Sequence, residues 1–370
     1  MPVFRALGVV LLSLLSLTVA AGEPTTSPTL TVATWGGAYE AAQREAIFQP
    51  FTEATGIDLN IVPYGGGVLP LQAQATGPAK ARWDVVDMLR ADARQACKAG
   101  WLTPFDPAIL APAPDGTPAN QDFHADAITD CYVAQLVFAS VIAYNDRAFP
   151  GEKPQTIADF FDQQRFPGKR ALRAAPVGLF EWGLRAYGVP LTQIYDLLST
   201  ARGLRLALQR LEGIRDSLIW WQDAAEPTRL LTQGEVTMAS GYNGRFFHAR
   251  VIDGAPISII WNSALLAENV WAIPQNTPHT ELAERFIRFA TASERLAAMA
   301  NRIAYGPTRH SAQRRVGLHV DTEIPMPPHL PTAAQHLKQA LKKDYAWYAA
   351  TSALRQRRFE TWQAEYDNPQ

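Results

Sequence analysis

The chain has 370 residues, 47% apolar, 10% aromatic and 19% charged, enough for one large or two medium domains and too apolar to be disordered. Its 34 basic residues are matched by 35 acidic ones, and the net charge of −1 excludes a protein held to nucleic acid by a basic surface. No two of the 7 histidines stand four apart and the 2 cysteines lack CxxC spacing, so composition predicts no metal centre.

The chain opens with Arg5, an apolar run from Ala6 to Leu17, and the small residues Val19, Ala20 and Ala21. The run is too short to cross a bilayer and polar, Pro-rich sequence follows it, which predicts a cleaved export signal over 1–21 and a linker over 22–28. In an oxidising compartment Cys97 and Cys131 read as a structural disulfide contributing about 3–4 kcal/mol, two buried thiols being the alternative.

The β-branched run 30–35, stopped by Gly36-Gly37, predicts a strand. A helix follows with Tyr39, Ala42, Ala46 and Ile47 at helical spacing, ending at Pro50. Strands are predicted at 57–62 and 83–88, and this β-α-β-α rhythm implies an open, largely parallel sheet with helices on its faces. The Pro/Asp-rich stretch 103–122 leads into a long buried strand at 133–144. Thr156-Ile157-Ala158-Asp159 opens a helix as a capping box does. The stretch 190–218 reads as helix in two pieces divided at Gly203, and a helix ended by Gly234 precedes a strand at 236–240. A strand at 270–274 leads to two amphipathic helices, one over 281–290 and one opened by Thr291-Ala292-Ser293-Glu294. The region 331–366 reads as long amphipathic helix, with Tyr345, Trp347, Tyr348, Phe359 and Trp362 available for packing.

The chain has no GxSxG elbow, HExxH, phosphate loop or GxGxxG. Gly65-Gly66-Gly67 lacks the following Lys-Ser/Thr of a phosphate loop and reads as a turn. Asp84 and Asp87, three apart on a strand, face opposite sides of the sheet and cannot share a substrate. A binding protein is therefore favoured over a secreted hydrolase, with a metal or anion carrier as the other alternative. Trp35, Tyr242 and Tyr305 follow strand or helix ends, where α/β sheets place ligands, and predict a cleft walled by aromatic faces.

Six phrases stand in order: Thr34-Trp35-Gly36-Gly37-Ala38-Tyr39-Glu40, Trp83-Asp84-Val85-Val86-Asp87, Phe166-Pro167-Gly168-Lys169-Arg170, Gly241-Tyr242-Asn243-Gly244-Arg245, Trp271-Ala272-Ile273-Pro274 and Tyr305-Gly306-Pro307-Thr308. Together they resemble the bacterial periplasmic solute-binding proteins of ABC transporters, in the spermidine/putrescine-binding branch, over residues 29–365. The resemblance implies an α/β, two-lobed periplasmic-binding-protein fold of type II-like form, each lobe an open, mostly parallel sheet flanked by helices and joined to the other by hinge strands. The first lobe would comprise 29–140 plus 270–312 and the second 141–269 plus 313–370. It further implies a periplasmic monomer without cofactor or metal, which captures a small amine-bearing solute, polyamine or amino-acid-like, and hands it to the transmembrane subunits of an ABC permease.

Carried over by position, Trp35 and Tyr39 would lie against the ligand from the first lobe and Tyr242 from the second, with Asp87 and Glu181 as nearby carboxylates and Tyr305 at the cleft edge. Asn269 stands where polyamine binders carry a carboxylate, and an amide does not neutralise an ammonium. Arg245 suits a ligand carboxylate, a surface or inter-lobe salt bridge being the alternative. These two positions imply a solute with one amine. The two cysteines resemble a pair found in a subgroup of the family.

Overall fold

The computed structural model describes residues 28–77 and 83–367. The export segment expected over 1–21, and the linker apart from Pro28, lie outside the described residues. Among the described residues there are ten strands: β1 (Thr29–Thr34), β2 (Asp58–Pro63), β3 (Val85–Leu89), β4 (Tyr132–Asn145), β5 (Arg170–Arg173), β6 (Leu218–Trp221), β7 (Met238–Tyr242), β8 (Ile257–Ala272), β9 (Gly306–Pro307) and β10 (Leu341–Lys342). They form one mixed sheet in the order β2-β1-β3-β8-β4-β7-β5-β6, with β10 paired to β8 and β9 to β4. Its two ends, β2-β1-β3 and β7-β5-β6, are parallel. In the middle, β8 runs antiparallel to β3 and β4, and β4 antiparallel to β7. The predicted parallel units are therefore confined to the two ends. Two long central strands, each buried on both faces over most of its length, carry the chain from one end to the other.

Several local expectations are corrected. The first helix does not stop at Pro50. It passes from Gly37–Gln43 through a π-helical turn, Arg44–Phe48, into Gln49–Thr55. Pro50 closely follows the π-helical turn, and the Ala46 carbonyl, which lacks a donor from Pro50, accepts from Arg295 Nη1 (3.4 Å). Gly203 lies inside the helix Ala201–Glu212 instead of dividing two pieces; a Cβ there would stand 2.0 Å from the Leu197 carbonyl oxygen, so close packing against the preceding helix demands glycine. Thr291 does not cap the helix Ser293–Ala300, because its hydroxyl donates to the Ile287 carbonyl (2.7 Å) and completes the preceding helix instead. The strand expected at 270–274 is the end of the 16-residue β8. The region 331–366 is interrupted: Ala334–Leu337 is a short helix, β10 joins the sheet, and the long helix is Tyr345–Asp367. The start at Thr156 is as expected, its N–H donating to Asp159 Oδ2 at 2.8 Å.

The largest apolar core draws on residues between Leu30 and Leu136 and between Val270 and Ala312. Three further cores take their residues from 137–266 and from 340–362, where Trp347, Tyr348, Phe359 and Trp362 are buried. A small cluster around Phe247, Ala304 and Met326 combines residues of both groups. Cys97 and Cys131 form a disulfide that ties the end of the helix Arg90–Lys98 to the start of β4. Among the described residues, no helix is long and apolar enough to cross a membrane.

Candidate functional site

A cavity of about 1160 Å³ opens between the two ends of the sheet, lined from the first by Trp35, Tyr39, Tyr64 and Tyr305 and from the second by Tyr242 and Arg245. Asn269, on β8, lines it between them. Strand ends and the turns after them supply part of the lining, as expected where an α/β sheet opens onto a ligand, and the helices Arg90–Lys98 and Tyr345–Asp367 supply much of the rest.

Asp87 does not line the cavity. It is fully buried behind it, near the end of β3. Its Oδ2 accepts from the Tyr39 hydroxyl (2.6 Å) and Gln43 Nε2 (2.7 Å), and its Oδ1 accepts from Trp35 Nε1 (3.3 Å). Burial pushes its carboxyl up to about 7, against the opposing pull of these hydrogen bonds. Asp87 thus orients two cavity-facing rings. Trp35 is held further by an edge contact with Tyr64 (ring centroids 4.8 Å apart), and Tyr39 by Tyr305 (5.8 Å). Asn269 donates weakly to the Tyr39 hydroxyl (3.5 Å), while its buried Oδ1 has no hydrogen-bond partner. That leaves an acceptor at the wall for an N–H from a ligand.

On the opposite wall, the phrase Gly241-Tyr242-Asn243-Gly244-Arg245 is clamped by Asn243. Its Oδ1 accepts from the Ala139 N–H (2.8 Å) and its Nδ2 donates to the Ala304 carbonyl. Gly244 is required there, since a Cβ would meet the Tyr305 ring at 2.5 Å. The clamp presents Tyr242, packed on Phe138 and Trp221 (centroids 5.7 and 6.1 Å), and sends the Arg245 guanidinium toward Gly37 on the facing wall. Arg245 has no ion-pair partner among the described residues.

Glu181 also stays out of the cavity. Buried on the helix Leu179–Ala186, its Oε1 accepts from the hydroxyls of Tyr348 (2.6 Å) and Tyr195 (3.4 Å), and its Oε2 has no partner. Burial raises its carboxyl above the usual range. Tyr348 stands between it and the cavity lining. Trp35, Tyr39, Tyr242, Arg245, Asn269 and Tyr305 are therefore brought together around one space, while Asp87 and Glu181 lie one layer behind.

Sequence reasoning missed Arg173, Lys343 and Arg355, which also line the cavity. No motif marks them, and they reach it from the end of β5, from the residue after β10 and from the helix Tyr345–Asp367. With Arg94 and Lys98 at the helix Arg90–Lys98, they bring the lining to six cationic side chains against a single acid, Asp92, in a chain that is almost neutral overall. Cys97 and Cys131 approach Asp130, but the two sulfurs are bonded to one another, so they offer no thiolate to a metal.

The family described as bacterial extracellular solute-binding protein matches residues 46–332. A gamma-aminobutyric acid-binding protein of Pseudomonas aeruginosa is 32% identical over 353 residues, covering 95% of this chain and 96% of that one. Among solved structures, the PBP MotA from A. tumefaciens B6 in complex with glucopine superposes with a TM-score of 0.79 at 26% identity, covering 90% of this chain and 99% of that one. The spermidine/putrescine-binding protein PotD of Streptococcus pneumoniae shares the fold with a TM-score of 0.69 at 14% identity, covering 92% of this chain and 100% of that one. The architecture is thus the two-lobed periplasmic-binding-protein fold. The chain belongs to the bacterial extracellular solute-binding protein family and serves an ABC transporter as its solute receptor, not as an enzyme.

Proposed function

We propose that this receptor captures an amino-acid-like solute, with at least one carboxylate and one amine, in preference to a polyamine. The excess of six lining cations over one acid carries the reading, because a polycation entering such a cleft meets like charge on every side. Arg245, unpaired and planar, suits the carboxylate. The free Oδ1 of Asn269 and the faces of Trp35 and Tyr242 suit the amine and its methylenes. The similarity to a gamma-aminobutyric acid-binding protein supports the same class.

In this reading the lobes are 29–140 plus 270–312 and 141–269 plus 313–370, a division supported by the separate apolar cores. They close on the solute by hinging about β4 and β8. Residues 1–21 serve as the export signal, and the mature monomer delivers its cargo to the transmembrane permease subunits from the periplasm.

Calorimetric titration with γ-aminobutyrate and with putrescine tests the ligand class. γ-Aminobutyrate should bind and putrescine should not. Arg245→Ala should weaken the amino acid by about 10–100-fold, the loss of one charge-assisted hydrogen-bonding partner. Tight putrescine binding that Arg245→Ala leaves unchanged would overturn the reading.

A further inference from the structure

The cleft holds more cationic side chains than one carboxylate requires, and they are not all in one place. Arg245 stands at the aromatic pole, beside Tyr242 and Tyr305. Lys343 and Arg173 stand at a second pole, where β5 ends and β10 has just passed. The Lys343 backbone is tied to β8 through its N–H to the Leu266 carbonyl (3.2 Å), and its Nζ lies 4.0 Å above the Tyr348 ring. The Arg173 N–H donates to Ser240 Oγ (3.2 Å), and its guanidinium lies 5.9 Å over Trp221. Neither forms an ion pair among the described residues. Their neighbour Arg355 is already occupied, donating to the carbonyls of Pro176 and Tyr348 (2.9 Å each).

The nearby acids do not neutralise this pair. Glu181 is engaged by Tyr348, and Asp92 accepts from the Gly67 N–H of its own wall (3.2 Å). Half-buried cations without an ion pair are costly, and an anion from the ligand removes that cost. The cavity's 1160 Å³ is also the size that surrounds a drug-sized ligand and exceeds what a four-carbon amino acid fills.

Resting on the amino-acid-like reading above, we infer that Lys343 and Arg173 form a second anion subsite, so that the preferred solute is an amino acid with a second acidic group at the far end of a chain. One carboxylate meets Arg245, the amine meets Asn269, and the distal acid lies between Lys343 and Arg173 above Tyr348. Burial lowers the Lys343 ammonium to about 8, opposed by Glu181 and Asp92 and reinforced by Arg355 and Arg173. A bound anion would raise it again, so affinity for the diacid should fall as pH rises through 8 and Lys343 of the free protein loses its proton.

The test compares α-aminosuberate with α-aminooctanoate, which has the same chain length and lacks the distal acid, by calorimetry on the mature protein at neutral pH. The diacid should bind at least about tenfold more tightly. Lys343→Met should reduce that advantage below about threefold while leaving α-aminooctanoate within about twofold, and Lys343→Arg should retain it. Arg173→Met provides the same comparison should Lys343→Met fail to fold. Binding of α-aminooctanoate with no gain for the diacid, or a Lys343→Met variant that weakens both equally, overturns the subsite and leaves the proposed function standing. Failure of both compounds and of γ-aminobutyrate to bind overturns the amino-acid reading and the subsite with it.

Discussion

Each end of the sheet buries a carboxylate behind a tyrosine that faces the ligand, Asp87 behind Tyr39 and Glu181 behind Tyr348, each at 2.6 Å. Their surroundings differ. Asp87 accepts three side-chain donors on both oxygens and anchors two cavity-facing rings, Trp35 and Tyr39. Glu181 accepts two tyrosine hydroxyls on one oxygen, its other oxygen has no partner, and Lys343 and Arg355 lie within its field. The first end thus presents rings whose polar atoms are satisfied from behind, with its own lining charges, Asp92, Arg94 and Lys98, set apart on the helix Arg90–Lys98. The second presents Lys343 and Arg173, which form no ion pair among the described residues.

The comparison breaks first at Asp87. Asp87→Ala leaves two buried donors, Tyr39 and Gln43, without this acceptor, at about 1–3 kcal/mol each, and frees the half-buried Trp35, and it should lower Tm by roughly 5–10 °C as well as weaken binding through Trp35 and Tyr39. A change below 2 °C, set here as roughly the smallest drop that one unsatisfied donor could cause, would show the acid is not the anchor.

The disulfide sharpens the same contrast, since it staples only the first wall. Replacing both Cys97 and Cys131 with serine should cost about 2–4 kcal/mol. Hydrogen exchange should accelerate first in the helix Arg90–Lys98, which carries Asp92, Arg94 and Lys98 at the cleft. Uniform acceleration over both ends would mean that the bond does not act locally.

Glu181→Ala should cost less than Asp87→Ala, about 1–3 kcal/mol, because it strands one well-made hydrogen bond and one long one. Thermal melts of the two variants side by side decide the order, and a larger drop for Glu181→Ala would reverse the assignment of the rigid wall.

The smallest effect is a pH dependence. Burial holds the Lys343 ammonium at about 8, below its usual value of 10.5, so between these values the unfolded chain binds more protons than the folded one. The cost of the charged side chain is present below pH 8 and is relieved as pH rises toward 10.5. Relative to Lys343→Met, Tm should therefore climb by roughly 1 °C between pH 7.5 and 9.5, a small amount because the side chain is half-exposed. A relative fall would show that Lys343 is stabilised by a partner.

Much of this molecule was legible before any coordinates. Alternation and β-branching mark β1, β2, β3 and β4, because a strand buried on one or both faces writes its burial into adjacent residues. The phrases around Trp35, Tyr242, Asn269 and Tyr305 name residues that do share one cavity, since the turns after strands are short and the side chains there have few places to go. Asp84 and Asp87 were read as facing apart. They do so, Asp84 accepting from the Thr31 N–H (2.7 Å) while Asp87 serves Tyr39.

What the tertiary structure alone decided concerns contacts between distant segments. Pro50 and Gly203 look like helix breakers by propensity, but a π-helical turn and a close helix–helix approach make both compatible with helix. The pairing of β4 with β8, and of β10 with β8, joins residues more than a hundred and about 75 positions apart, beyond the reach of any local pattern. That pairing is what carries Lys343 to the same cavity as Trp35. Arg173, Lys343 and Arg355 belong to no motif, because a cation at a cleft is defined by the missing partner across the space and not by its neighbours in the chain. Local order follows from the sequence through steric and burial preferences of adjacent residues, whereas the charge of the cleft is a property of long-range strand pairing, which only the folded chain assembles.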